Sequence, residues 1–307
     1  MSIFYLFDFP SLWSPFFGLS LIIVFIGYYF LTIKYRLLFK RSTPVQKSQV
    51  LSFITFLIIL YIIKGSPIDL LSHMMLTFHM VQMGFLLLVL PILFIKGIPF
   101  WFWQTILNRP FLKVVLKLFT RPIAAMLFFN VAFSLYHIPM ILDFSKTSTM
   151  YHTSIHSILF VLATFMYWPI LGVYKKGYDM SGLLKTGYMF ANGALMLPAC
   201  ALIIFSSTPL YSTYSEPESW VNALSLCASP SSISNLGVLG PELIELFNPL
   251  GLIQDQQLGG IIMKGIQEII YGILIAKVFL DWYREDQAYA AVETKKYMAQ
   301  YYKNETD

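Results

Sequence analysis

Charge is scarce in this 307-residue chain: Asp, Glu, Lys and Arg make up only 12% of it, and long hydrophobic runs stand in their place. Soluble domains carry about a quarter charged residues, so a composition that is 57% hydrophobic, with a mean hydropathy of +0.66, excludes a soluble fold. Cysteine is nearly absent. Cys200 and Cys227 are too few for a disulfide scaffold. The first residues, MSIFYLFDFPSLWSP, lack a basic n-region and a small-residue cleavage site, so no removable signal peptide is expected. The net charge of +5 forms no patch of the kind that binds nucleic acid, and internal repeats are lacking.

What the chain has is apolar length. A bilayer-spanning helix takes about 20 mostly apolar residues, and seven stretches qualify: 12–33, 50–63, 71–95, 122–138, 150–173, 186–206 and 259–280. The second is short and is expected to begin nearer Lys47. The predicted fold class is all-α, a polytopic bundle of seven transmembrane helices. Residues 1–285 form one membrane domain, and residues 286–307 a polar tail.

Eighteen of the 21 Lys and Arg residues fall on one side of these spans. They include Lys34–Arg41, Lys96–Arg121, Lys175, Lys176, Lys185 and the residues after Lys277. Cytoplasmic loops carry the basic excess, so the N-terminus is expected outside and the C-terminus inside. Only Lys64 and Lys146 lie on the opposite side, and Lys264 falls within the last span. The inner connection 96–121 mixes Trp101, Trp103 and Phe111 with spaced basic residues, as an amphipathic segment in the headgroup layer would. The outer loop 207–258 has no Lys or Arg but carries Glu216, Glu218, Glu242, Glu245 and Asp255, with a short helix expected near 241–247.

With this topology all five histidines gather at the outer ends of spans three to five. His73 lies near the surface, and His79, eight residues past Leu71, lies about 12 Å deep. His137 ends span four, and His152 and His156 begin span five. Ionisable groups are costly in hydrocarbon and mark functional sites. Positions four apart share a helix face, which pairs His152 with His156, His79 with Met83, and Asp69 with His73. Imidazole suits copper and other late transition metals, and thioether sulfur favours Cu(I). Asp69 and Asp143 are candidates to orient such histidines. The opposing readings are ordinary: methionine is common packing material, and a histidine near headgroups can be merely interfacial.

A second polar group opens the last span, DQQLGGIIMKGIQEII, with Asp255 at its mouth and Lys264 four residues before Glu268, spaced for an intramembrane ion pair. Gly259 and Gly260 permit close helix approach. Gln82, Asn130 and Asn192 either extend a polar interior or form interhelical hydrogen bonds.

The stretches KGSPIDLLSHMMLTFHMVQM, SLYHIP, YHTSIH and DQQLGGIIMK together resemble the CtaG family of cytochrome caa3 oxidase assembly factors, the multi-span type of Gram-positive bacteria. The likeness runs from about the first span to the end of the seventh. It implies a multi-pass plasma-membrane protein that is not an enzyme, needed to form active haem–copper oxidase, with oxidase subunits I and II as partners. It carries Asp69, His73, His79, His137, His152, His156 and Asp255 as candidate site residues. Joined with Met83, these are the expected copper ligands, and copper delivery at the outer face is the expected function. Two other readings stay open: a haem- or quinone-binding redox membrane protein, and an assembly scaffold that holds no metal. Against the haem version, no CxxCH motif is present.

Overall fold

The computed structural model describes residues 6–107, 109–110, 118–171, 180–237 and 243–306. Phe111, Lys113, Lys117, Lys175, Lys176, Pro241 and Glu242, which enter the sequence argument, lie outside the described residues, as does the end of the expected fifth span.

The described residues are helical throughout, without a strand. In chain order, α1 (Phe9–Leu12) leads into α2 (Pro15–Tyr29), which runs through a π turn at Phe30–Lys34. Next come α3 (Lys47–Lys64), α4 (Pro67–Met74), α5 (Leu76–Gly84) and, after a π turn at Phe85–Val89, α6 (Leu90–Gly97). There follow α7 (Phe100–Leu107), α8 (Pro122–Tyr136), α9 (Pro139–Ser145), α10 (Thr149–Leu171) and α11 (Gly182–Phe205). Four short helices, α12 (Ser212–Ser215), α13 (Pro217–Leu224), α14 (Pro230–Gly237) and α15 (Leu243–Phe247), precede the long α16 (Leu252–Thr306).

Among the described residues, six helical stretches are long and apolar enough to cross a membrane. A seventh results if α8 and α9, bent by 82° where Pro139 stops the first helix, count as one span. Long apolar helices in this number fit a multi-pass membrane protein. The expected second span does begin at Lys47, where Gln46 and Gln49 form a reciprocal cap. The expected last span is the early part of α16, which continues as one helix through the polar tail.

The expected third span, continuous over 71–95, is corrected. The chain breaks at Met75, which is extended at φ −132°, ψ 135°, so that Pro67–Met74 is a separate short helix and the candidate span is Leu76–Gly97. Ser66 and Pro67 start α4 in the usual way, the serine oxygen accepting the Ile68 amide at 3.2 Å.

The main core fills the bundle with Met83, Leu87, Phe129, Tyr167 and Met196, all wholly buried. α16 packs most extensively along α11 and then α5. Gly259 lets α16 meet the broken segment: a Cβ there would lie 3.2 Å from the Leu76 carbonyl oxygen and the Thr77 Cα. At the other end of the bundle, Trp101 and Trp103 of α7 are tucked inside, Trp101 Nε1 donating to the Thr43 carbonyl at 3.1 Å.

Candidate functional site

The four short helices between α11 and α16 fold over one end of the bundle as a cap. Trp220 of α13 is wholly buried and donates from Nε1 to the Met74 carbonyl at 3.1 Å. With Leu70, Met74, Leu224, Leu236 and Phe247 it forms a second apolar cluster. Tyr214 donates to the Ser72 carbonyl at 2.9 Å, and Tyr211 to the His137 carbonyl at 2.8 Å. Asp143 holds the start of α12, accepting from the Ser212 amide and hydroxyl and from the Thr213 amide at 2.8–3.1 Å. Both of its oxygens are thereby engaged away from the histidines.

Beneath this cap the five histidines are all buried. His73 and His152 have ring centroids 5.1 Å apart, and His152 and His156, one turn apart on α10, 4.0 Å. His79 and His156 face a common phenol. The Tyr136 hydroxyl lies 3.1 Å from His79 Nε2 and 3.0 Å from His156 Nε2. One hydroxyl has one proton to give, so one imidazole accepts it while the other presents an N–H. Between two neutral rings, one Nδ1 then bears a lone pair. The Nδ1 atoms of His79, His152 and His156 have no hydrogen-bond partner in the protein. His137 is oriented differently. Its Nδ1 donates to the Phe133 carbonyl at 2.7 Å, which leaves an unpartnered lone pair on Nε2. A ring held by Nδ1–H on a backbone carbonyl is the arrangement that readies Nε2 for a metal.

Lys64 and Lys146, the two basic residues set apart from the Lys- and Arg-rich connections, are both in this cluster. Lys64 Nζ lies 3.3 Å from Asp69 Oδ1, 3.3 Å from Gln82 Oε1 and 3.4 Å from His152 Nε2. Gln82 bridges onward, donating to Asp69 Oδ1 at 2.7 Å and to the Ile63 carbonyl at 2.5 Å. Lys146 Nζ is buried 3.4 Å from His73 Nδ1 and from the Ser72 carbonyl, over the Tyr214 ring. Burial and nearby Lys64 push the Lys146 ammonium down to about 7, and Asp69 offsets this only in part.

The chain belongs to the cytochrome c oxidase caa3 assembly factor family. The family's model matches residues 26–285, a range that contains every histidine and every helix of the cap. No curated protein and no solved structure matches the chain.

The structure does not bring all the expected residues of this assembly factor together. Asp69 joins Lys64 and Gln82, not His73. Asp255 accepts the Leu76 amide at 2.7 Å and the Thr77 amide at 3.1 Å, capping the helix that restarts after Met75. Met83 is wholly buried in the main core. Lys264 and Glu268 are 2.6 Å apart, with Lys264 also donating to Gln267. They lie apart from the histidines. Asn130 donates to Asn192 Oδ1 at 2.9 Å as an interhelical bond, whereas Gln82 belongs to the site. Among the described residues, no three His, Cys, Asp or Glu side chains gather around one metal-sized point.

Sequence reasoning missed Tyr136, Lys64 and Lys146. Each left a signal: Tyr136 directly precedes His137 in SLYHIP, and the two lysines are the exceptions to the charge asymmetry.

Proposed function

We propose that this oxidase assembly factor acts without catalysing a reaction, by carrying Cu(I) through its histidine cluster at the outer face of the plasma membrane to oxidase subunits I and II. The reading rests on one observation above all. His137 Nε2 and the Nδ1 atoms of His79 and His156 are buried ring nitrogens without partners. Buried polar atoms are ordinarily satisfied, and an imidazole lone pair in an apolar site suits a soft, late transition ion. Cu(I) accepts two ligands in line, so a pair drawn from these histidines suffices where no triad is gathered. A carrier that must release its cargo gains from so sparse a ligand set.

The hydrogen bonds of Tyr136 support the metal-free scaffold as the second reading, because they already hold His79 and His156 in place. The haem reading gains no support from this pair, whose Nε2 atoms both face the Tyr136 hydroxyl. Cu(I) bound per chain, measured against a competing chelator on detergent-purified protein, separates copper carriage from the scaffold. Copper bound by wild type and lost from His79→Ala and His156→Ala is the expected result. Equal binding in all three chains, or none in any, overturns copper carriage and leaves the scaffold.

A further inference from the structure

At the end of the bundle away from the histidines, three candidate spans terminate together. Gly97 ends α6, the described part of α10 ends at Leu171, and Gly182 begins α11. Lys96 is 17 residues past His79 in the same candidate span, about 26 Å along it. Span ends mark the level where hydrocarbon gives way to headgroups. Between these helix ends and α16 lies a recess of about 660 Å³. Its apolar wall has Ile170 and Leu274 buried and Leu171 and Val278 half-buried. Its basic residues are Lys96, Lys185 and Lys277.

The charges in this recess are ordered along α16. Lys96 and Lys277 are exposed and close enough to repel each other. Among the described residues, neither forms an ion pair. Asp281 and Glu285 also line the recess, but they follow Lys277 by one and two turns, about 6 and 12 Å farther toward the polar tail. They leave the two ammonium groups without a counter-charge on the membrane side. The recess also takes in Ser181 and Gly182 at the N-terminus of α11, whose dipole adds to the attraction for an anion.

A ligand that matches this order has one phosphate at the depth of the lysines, an apolar body on the membrane side and hydroxyl groups on the water side. The two carboxylates accept from hydroxyls and repel a second phosphate. Basic recesses between spans at the membrane surface suit lipid headgroups, and the volume is that of an ordinary small-molecule site.

We infer that this recess binds one molecule of phosphatidylglycerol, with its phosphate between Lys96 and Lys277, its free glycerol toward Asp281 and Glu285, and its acyl chains over Leu171 and Val278. No residue of the recess belongs to the histidine cluster, and the inference does not rest on copper carriage.

Native mass spectrometry of the full-length, copper-free protein in detergent tests this, with phosphatidylglycerol, phosphatidylethanolamine, phosphatidylcholine or cardiolipin of the same acyl chains added. One phosphatidylglycerol retained per chain, about tenfold or more tighter than either zwitterionic lipid, is expected. Lys96→Gln and Lys277→Gln each weaken its retention about fivefold, the worth of one lysine at an anionic headgroup. Lys96→Arg and Lys277→Arg, which keep the charge, retain it. Lys34→Gln, at a span end outside the recess, leaves it unchanged. Equal retention of all four lipids overturns the proposal, as does an equal loss in Lys34→Gln, which marks a general attraction to basic span ends. Tighter retention of cardiolipin overturns the single-phosphate assignment. Displacement of the lipid by inorganic phosphate overturns the lipid as source and makes the recess a site for a free phosphate.

Discussion

The Asp255 carboxylate accepts the Leu76 amide at 2.7 Å, reaching across 179 residues of sequence to the point where a membrane helix is broken. With the Thr77 amide at 3.1 Å it satisfies two donors that the break at Met75 would leave bare. Its role is to hold the segment bearing His79 against α16. Asp255→Ala should therefore cost about 1–3 kcal/mol of stability, the usual penalty for unmet buried donors. Asp255→Asn, which still offers a carbonyl oxygen, should lose less. Thermal unfolding in detergent checks both. Copper binding by whatever protein remains folded should persist, whereas loss of copper in a fully stable Asp255→Ala would make the residue a ligand instead.

Lys146 predicts a pH dependence. Its ammonium titrates near 7 in the folded chain instead of the usual 10.5. Between those values the unfolded chain binds more protons at this position than the folded one, so stability rises with pH through that window. The slope is bounded by about 1.4 kcal/mol per pH unit for one site. Comparing unfolding at about pH 7 and about pH 9, wild type should gain on Lys146→Met at the higher pH. An unchanged difference would mean that Lys146 remains charged in the fold.

The cap over the histidines rests on Trp220. Trp220→Ala removes a wholly buried ring and its bond to the Met74 carbonyl, a change that costs about 3–5 kcal/mol in a core. The loss should appear as local opening: Cys227, which lines a cavity beneath the cap, should react with a maleimide many-fold faster than in wild type. Mass spectrometry separates it from the buried Cys200. An unchanged labelling rate would show that the cap is held elsewhere.

How much of this was legible in the sequence follows from the range of the forces involved. The spans were legible because hydropathy is a local sum, and the Lys47 start and the α16 span came from it directly. The convergence of His73, His79, His137, His152 and His156 followed from placing span ends on one side. The break at Met75 was not legible, because LLSHMMLTFH reads as unbroken apolar helix and the residue that stabilises the break is Asp255. Tyr136 was hidden for a similar reason. Its partners lie on α5 and α10, and only the assembled bundle sets them around one hydroxyl. The cap looked like a turn-rich loop, because its apolar residues, such as Trp220 and Leu224, are too few in each short helix to stand out in the sequence.

The charge asymmetry predicts that the histidine end faces outward. Glu218 is exposed on the cap and Tyr297 is exposed near the end of α16. In a chain without native cysteines, Glu218→Cys should be labelled by an impermeant maleimide in intact cells, and Tyr297→Cys only after permeabilisation. The opposite pattern would invert the topology and move the histidine cluster to the cytoplasmic face.

Tyr136→Phe separates the hydroxyl from the ring it sits on. The substitution keeps the aromatic packing but withdraws the one group that both His79 Nε2 and His156 Nε2 touch. If the two imidazoles serve only as structure, they lose their shared partner with nothing in exchange, and stability falls by about 1–3 kcal/mol whether or not copper is present. If they serve as ligands, removing a competing hydrogen bond frees ring nitrogens for the ion, so the same loss in the apo protein should be largely recovered on adding Cu(I). Unfolding of Tyr136→Phe with and without Cu(I), beside His156→Ala as the chain that cannot recover, reads the difference. Recovery in Tyr136→Phe alone supports copper carriage, and recovery in neither chain favours the scaffold.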